Sequence, residues 1–358
     1  MKLLPHILAV VSLVAASIAA QAEIKDIDPS PGSEILVPAP DNPDDALVVD
    51  SPSHLAQRKA IVKQAAAGGD AGPIAVFYPD IGEPHRSVFS KIIEGIEENA
   101  DAKVPCYAIG SDFKAEAVSG ELKQHNIRVI IALGRDSLRA ASALDKDIAV
   151  VAGGIVSAPA SDERSSTILS LAPDPALLFA RLKNLAPKIQ RIHVVFDPRQ
   201  NAWLVKLARE AARNQSLELL TYEAGNLQNA VAIYSGIFAN ADSQRDALWL
   251  PQDSTTVDES VVLPLVLQES WGRSIPVFSS DIAHVKRGAL FALYPDNIEL
   301  GRNLAASALG LASGNPGVRG VLPLRNVLTA FNTRTASHLG VVPSPAQQRS
   351  FSLLFPEQ

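Results

Sequence analysis

The chain has 358 residues, room for two domains, and its 47% hydrophobic and 20% charged residues are the balance of a globular protein with buried cores. Its formal charge of -6 falls on one segment, because residues 23–50 hold eight acids against Lys25 while residues 51–358 are neutral overall. A neutral body with 5% aromatic residues excludes a basic or aromatic-lined nucleic-acid surface, and a single cysteine, Cys106, excludes an intramolecular disulfide.

The N-terminus reads as an address. Lys2 precedes an apolar stretch from Ile7 to Ala20, and Ala20-Gln21-Ala22 offers the small-x-small cleavage pattern of a secretory signal peptide over residues 1–22. That stretch is shorter than the roughly 20 residues a spanning helix needs. The expectation is a periplasmic protein that is not membrane-embedded once the signal is cleaved. Residues 23–72 form an acidic, Pro-rich leader with one short helix, Ser53 to Ala67, stopped by Gly68-Gly69.

From Ile74 the pattern alternates strand and helix. Ile74–Tyr78, Val104–Ile109, Ile127–Leu133 and Ile148–Ala152 are apolar runs of the kind buried on both faces of a parallel sheet. Helical spacing separates them, and Cys106 is expected as a small buried residue on the second run. Gly153 to Ser166 is turn-rich and reads as the first passage between two lobes. Strands then follow near Thr167–Leu171, Ile192–Phe196, Leu217–Tyr222, Ala247–Leu250, Val277–Ser279, Gly288–Tyr294 and Val327–Phe331, with helices between them. The layout predicts an α/β protein of two doubly wound parallel-sheet lobes joined by hinge crossovers. The first lobe is expected over 73–160 plus 288–316, the second over 161–287 plus 317–340, with a C-terminal tail at 341–358.

One pattern occurs twice. Val76-Phe77-Tyr78-Pro79-Asp80 is echoed by Val195-Phe196-Asp197-Pro198-Arg199, with Pro79 and Pro198 119 positions apart. Gly134-Arg135-Asp136-Ser137 is echoed by Pro251-Gln252-Asp253-Ser254, with Asp136 and Asp253 117 positions apart. Each copy puts a polar loop at the carboxyl end of a strand, where open α/β sheets bind ligands.

Several stretches of the second half, in order, resemble the substrate-binding proteins of ABC transporters, of the tryptophan/tyrosine type with a type I periplasmic binding protein fold. They are Val194 to Pro198, Leu250 to Thr255, Ile275 to Asp281, Arg287-Gly288-Ala289-Leu290, Glu299 to Arg302 and His338-Leu339-Gly340. In the first half the resemblance rests on Ile131-Ala132-Leu133-Gly134 and the loop after Tyr78. The chain departs from the family where an Asp-Pro usually follows the fourth strand of the first lobe; Gly153-Gly154-Ile155-Val156-Ser157 stands there instead.

The resemblance implies that strand-end loops of both lobes grip one small molecule. On the second lobe it points to Asp197, Asp253, Ser254 and Asp281, whose carboxylates would suit an ammonium. Each aspartate is equally a candidate helix N-cap. On the first lobe Tyr78, Arg86, Arg135, Ser137, Gly154 and Ser157 lie at strand-end loops, where helix N-termini and arginines would hold a carboxylate. Together these sets imply a zwitterionic, amino-acid-like ligand. No nucleophile elbow, P-loop or dinucleotide fingerprint is present, and no cysteine–histidine cluster suggests zinc. The expectation is a binding protein without enzyme activity, cofactor or metal. Its partner is an ABC permease or a membrane sensor for which it acts as co-receptor; a degenerate binding module with an interaction role is the third reading.

Overall fold

The computed structural model describes residues 72–83, 85–110, 113–157 and 166–356. The signal peptide, the leader and the helix expected at Ser53–Ala67 lie outside the described residues. No helix among those described is long and apolar enough to cross a membrane.

Alternating strands and helices run through the chain as the apolar pattern demands. The first part gives β1 (Ile74–Pro79), α1 (His85–Ala100), β2 (Cys106–Ile109), α2 (Ala115–Gln124), β3 (Val129–Leu133), α3 (Arg135–Ser142), β4 (Ala149–Ile155) and β5 (Thr167–Pro173). There follow α4 (Pro175–Leu185), β6 (Arg191–Phe196), α5 (Pro198–Asn214), β7 (Glu218–Glu223), α6 (Leu227–Asn240), β8 (Asp246–Leu250), α7 (Val262–Arg273), β9 (Val277–Ser279), α8 (Ile282–Arg287) and β10 (Phe291–Pro295). The chain closes with α9 (Asn297–Ala312), β11 (Gly320–Leu324), β12 (Val327–Asn332), α10 (Thr333–His338), α11 (Pro345–Arg349) and β13 (Leu353–Phe355).

Two sheets result, ordered β11-β5-β4-β3-β1-β2 and β13-β12-β10-β9-β8-β6-β7. The order β2-β1-β3-β4-β5 in the first matches β7-β6-β8-β9-β10 in the second, so the repeated sequence pattern is a repeated topology. Every pairing is parallel except β10 with β12. Both faces of each sheet are covered, which is why the strands read as continuous apolar runs. Val76, Ile131 and Leu133 pack under α1 and α9, while Phe77, Ile130 and Ala132 pack on the side of α2 and α3. In the second sheet Val194, Trp249 and Phe278 pack against α4 and α5, and Val195, Leu248 and Val277 against α6 and α7. Cys106 is buried.

Strand membership corrects several expectations. Thr167–Leu171, expected in the second half, is β5 of the first sheet, because Thr167 and Ile168 pair with Val151 and Ala152. The turn-rich Gly153–Ser166 therefore links neighbouring strands, and the first passage between sheets falls later, at Pro173-Asp174-Pro175. The strand expected within 288–316 belongs to the second sheet as β10, and β11, within 317–340, belongs to the first. Residues 341–358, read as a surface tail, contain α11 and the edge strand β13. Sheet membership is set by long-range pairing, which a local apolar pattern does not encode.

The chain passes between the sheets three times, after β5, β10 and β11. The register sets Leu324 level with Pro173 and Val327 level with Pro295. β5 and β10 each leave their sheet at its carboxyl end, so the carboxyl ends of both sheets border the crossovers. β12 enters the second sheet from that same end, which makes it antiparallel to β10.

Helix α9 follows a strand of the second sheet yet docks on α1 of the first. Glycine permits that contact: a Cβ on Gly301 would lie 2.0 Å from the Ile92 carbonyl oxygen, and one on Gly95 2.0 Å from the Ile298 carbonyl oxygen. Gly301→Ala must therefore push the helices apart, at a cost of about 3 kcal/mol or more in urea unfolding. Gly310→Ala, on the same helix with nothing beyond its own helical backbone within 4 Å of the added carbon, is expected to hold or raise stability by up to about 1 kcal/mol through helix propensity. Equal behaviour of the two variants would mean that backbone contact does not seat α9.

Candidate functional site

Two strand-end loops of the second sheet are tied together by one carboxylate. Asp253, 5% exposed after β8, accepts from Thr255 N and Thr256 N on Oδ1, each at 3.0 Å. Its Oδ2 accepts from Asp197 N at 2.7 Å and from Asn201 Nδ2 at 2.9 Å. Thr256 Oγ1 donates to the Val195 carbonyl at 3.1 Å, closing the link from loop to strand.

Asp197 caps α5, with Pro198 supplying the preset first helical residue. Its Oδ1 accepts from Arg199 N at 2.9 Å, and Oδ2 accepts from Arg199 Nη2 at 2.6 Å and Thr255 Oγ1 at 3.0 Å. The Arg199 hydrogen bonds hold its carboxyl well below the usual carboxylate range, against the opposing effect of burial. Asp281 caps α8 through Oδ1 to Ala283 N at 2.8 Å and stays partly exposed. Ser254 is exposed, with Oγ 3.4 Å from Gln200 Oε1.

In the first sheet the ends of β3 and β4 meet. Gly134 N donates to the Gly153 carbonyl at 2.9 Å, and Gly134 starts α3 at φ 84 without a side-chain cap. Gly154 has φ 70, and a Cβ there would meet Gly134 N and the Phe89 ring, each at 3.3 Å. In the first turn of α3, Ser137 is 0% exposed and its Oγ has no hydrogen-bond partner. A buried hydroxyl left unpaired beside the free N–H groups of a helix start is an uncommitted donor set. Arg135 is exposed, Arg86 is half-buried with Nε donating to the Ile81 carbonyl at 3.2 Å, Tyr78 is buried, and Ser157 is half-buried.

Residues 91–319 match the model of the family described as ABC transporter substrate binding protein. The chain belongs to that family. No curated protein matches it. Solved structures share the fold, among them the ligand-free, open form of a substrate-binding protein with adhesive properties from Clostridium difficile. That protein is 18% identical with a TM-score of 0.56, over 78% of this chain and 99% of that one. An ABC domain from Streptococcus pneumonia in complex with L-Trp is 17% identical with a TM-score of 0.49, over 79% and 100%. An ABC transporter solute binding protein from Clostridium phytofermentas with bound L-rhamnose is 13% identical with a TM-score of 0.42, over 75% and 98%. The architecture of this substrate-binding protein is the type I periplasmic binding protein fold.

Of the residues expected at the site, the structure brings Asp197 and Asp253 together and gives both of them protein partners. Asp281 uses Oδ1 on Ala283 N, and among the described residues its Oδ2 has no hydrogen-bond partner. Sequence reasoning missed three features of this substrate-binding protein. Thr255 and Asn201 complete the loop tie, Thr255 Oγ1 donating to Asp197 and Asn201 Nδ2 to Asp253, 52 residues away. Glu259, Asp281 and His284 converge, with one potential ligand atom from each within 4.8 Å of the others. His284 is 4% exposed, and burial pushes its imidazole below the ordinary histidine value despite the Asp281 and Glu259 charges. The spacing Asp281-x-x-His284 was a local signal for this pair; Glu259 had none. At the opposite end of the second sheet, the first residues of β6 and β8 form a two-pronged ion pair, Arg191 to Asp246 at 2.5 and 2.8 Å, beside a cavity of about 420 Å³ also lined by His193 and Tyr222.

The depressed Asp197 carboxyl gives a pH dependence of fixed sign. Its charge stabilises the fold above the unfolded carboxyl value of about 3.9, and that contribution is lost as pH falls below it toward the folded value. Asp197→Asn keeps the cap but removes the charge. It is expected to cost about 1 kcal/mol at neutral pH, since Arg199 is exposed, with the gap to wild type narrowing below about pH 3 in urea melts. A gap independent of pH would show that the charge is not the stabilising feature.

Proposed function

We propose that this is an exported binding protein that closes on a small polar, amino-acid-like ligand and delivers it to an ABC importer. The signal-peptide pattern read at the N-terminus supports export to the periplasm, and family membership supports a small-molecule ligand and a membrane transporter as partner. The observation that carries the ligand assignment is Ser137, whose buried hydroxyl lacks a partner at the uncapped start of α3. Its Oγ and the first-turn N–H groups of α3 suit the carboxylate of a ligand. On the second lobe Asp281 keeps one oxygen for an ammonium, with Ser254 beside the same loops. Closure is a hinge motion about the three crossovers. The work is binding and conformational signalling, without bond chemistry.

A second reading is a module that has lost its ligand and serves as an interaction partner. Its support is that Asp197 and Asp253 are both engaged by protein donors.

A thermal-shift screen with zwitterionic amino acids separates the two. A ligand at 100-fold above its dissociation constant adds about 2.7 kcal/mol of stability. Ser137→Ala is expected to leave the ligand-free protein as stable as wild type, because it removes an unpaired polar group, and to reduce the ligand-induced shift. Asp281→Ala is expected to abolish that shift with the ligand-free protein still folded. No shift with any amino acid in the wild type favours the ligandless module, and a full shift in both variants removes Ser137 and Asp281 from the site.

A further inference from the structure

We propose that Glu259, Asp281 and His284 bind a divalent first-row transition metal ion, with zinc the ion that suits their donors. Glu259 and Asp281 follow the carboxyl ends of the paired neighbours β8 and β9, His284 lies in the first turn of α8 behind Asp281, and their potential ligand atoms lie within 4.8 Å of one another. The third member separates this trio from an acidic surface patch. His284 is 4% exposed, and its Nδ1 is held at 2.7 Å by the hydroxyl of Ser279, the last residue of β9, which is itself 0% exposed. A metal-binding histidine is oriented in this way, with its second ring nitrogen tied to a polar group outside the coordination sphere. With Nδ1 engaged by Ser279, Nε2 is the nitrogen left to coordinate.

The two carboxylates are available on the same terms. Asp281 spends Oδ1 on Ala283 N and keeps Oδ2. The Glu259 backbone is pinned by Arg287 Nη1 at 2.9 Å, while its carboxylate meets Arg287 Nη2 only at 3.4 Å and is 59% exposed. The loop is therefore fixed and the side chain free to turn inward. Zinc bonds of about 2.0–2.2 Å set tetrahedral donors about 3.4 Å apart, so from separations of up to 4.8 Å the trio must close by no more than about 1.4 Å. That is within the reach of an exposed glutamate. One nitrogen and two oxygens leave a fourth position for water or a ligand group. The imidazole disfavours calcium and magnesium, which take oxygen donors, and the lack of sulfur disfavours copper(I). The proposal shares Asp281 with the amino-acid reading but does not rest on it, because the metal alone is the probe.

The test is zinc titration of the chelator-stripped full chain by calorimetry, with cobalt(II) absorption as a second readout. One zinc per chain is expected, with visible cobalt bands of a low-coordinate site. Glu259→Gln and Asp281→Asn are each expected to weaken zinc binding at least about tenfold, and Ser279→Ala by about 10–100-fold through loss of imidazole orientation. Glu259 is exposed, so its variant is informative even if a substitution at Ser279 or His284 disturbs folding. Absence of saturable zinc uptake by the wild-type chain overturns the proposal, as does uptake that Glu259→Gln and Asp281→Asn leave unchanged.

Discussion

Three crossing segments, held side by side by backbone hydrogen bonds, determine how every other part of the molecule can act. Asp174 N donates to the Leu324 carbonyl at 2.8 Å, and Asp296 N to the Asn326 carbonyl at 3.2 Å. Side chains add to the seam: Arg325 lies 3.7 Å from Asp174, and Asn303 Nδ2 bonds Asn326 Oδ1 at 3.2 Å. Asp174 and Asp296 also cap α4 and α9, so the crossings after β5 and β10 end where a helix begins, while the third runs straight into β12. Prolines at 173, 175 and 295 preset the backbone beside these caps. These bonds leave few free backbone positions in the crossings, and the proposed hinge motion would fall on those.

The helix α9 shows what such an arrangement requires elsewhere. A segment entering from one sheet must be fastened to the other, or the first sheet would lose β11 and the cover over β3 and β4. Backbone contact through Gly95 and Gly301 provides the fastening, and Leu300, Leu304 and Ala308 extend it into the core. Close packing of this kind has low compressibility and transmits strain. That packing holds the strand-end loops of the first sheet as one unit, which the proposed closure would move as a body.

Much of the fold was legible in the sequence because strand burial is a local signal. Ile74–Tyr78 and Ile192–Phe196 announce themselves, and the recurrence of the pattern at a similar interval anticipates the shared strand order. Membership of β5, β10 and β11 was not legible, since it depends on pairings such as Thr167 Oγ1 to the Val318 carbonyl, 151 residues apart. The site divides in the same way. Asp197-Pro198-Arg199 carries its own capping and ion-pairing partner within three residues. Asp253 takes two of its four donors from beyond its loop, from Asp197 and Asn201, and Glu259 meets His284 only through the adjacency of β8 and β9.

That division limits what the ligand can be. A carboxylate holding four donors, as Asp253 does, has little capacity left for a ligand ammonium, and freeing it would expose Asp197 N and Asn201 Nδ2 to the cost of unpaired burial. Asp197 is in the same position, with Arg199 and Thr255 on both oxygens. Recognition in the proposed function therefore falls on groups left over after the scaffold is satisfied: Ser137 and the first turn of α3 on one lobe, Asp281 and its neighbours on the other. The first set donates and the second accepts. Only a ligand, or a ligand with a cation, that presents acceptors to one lobe and positive charge to the other engages both sets at once, and engaging both is the differential contact that closure needs.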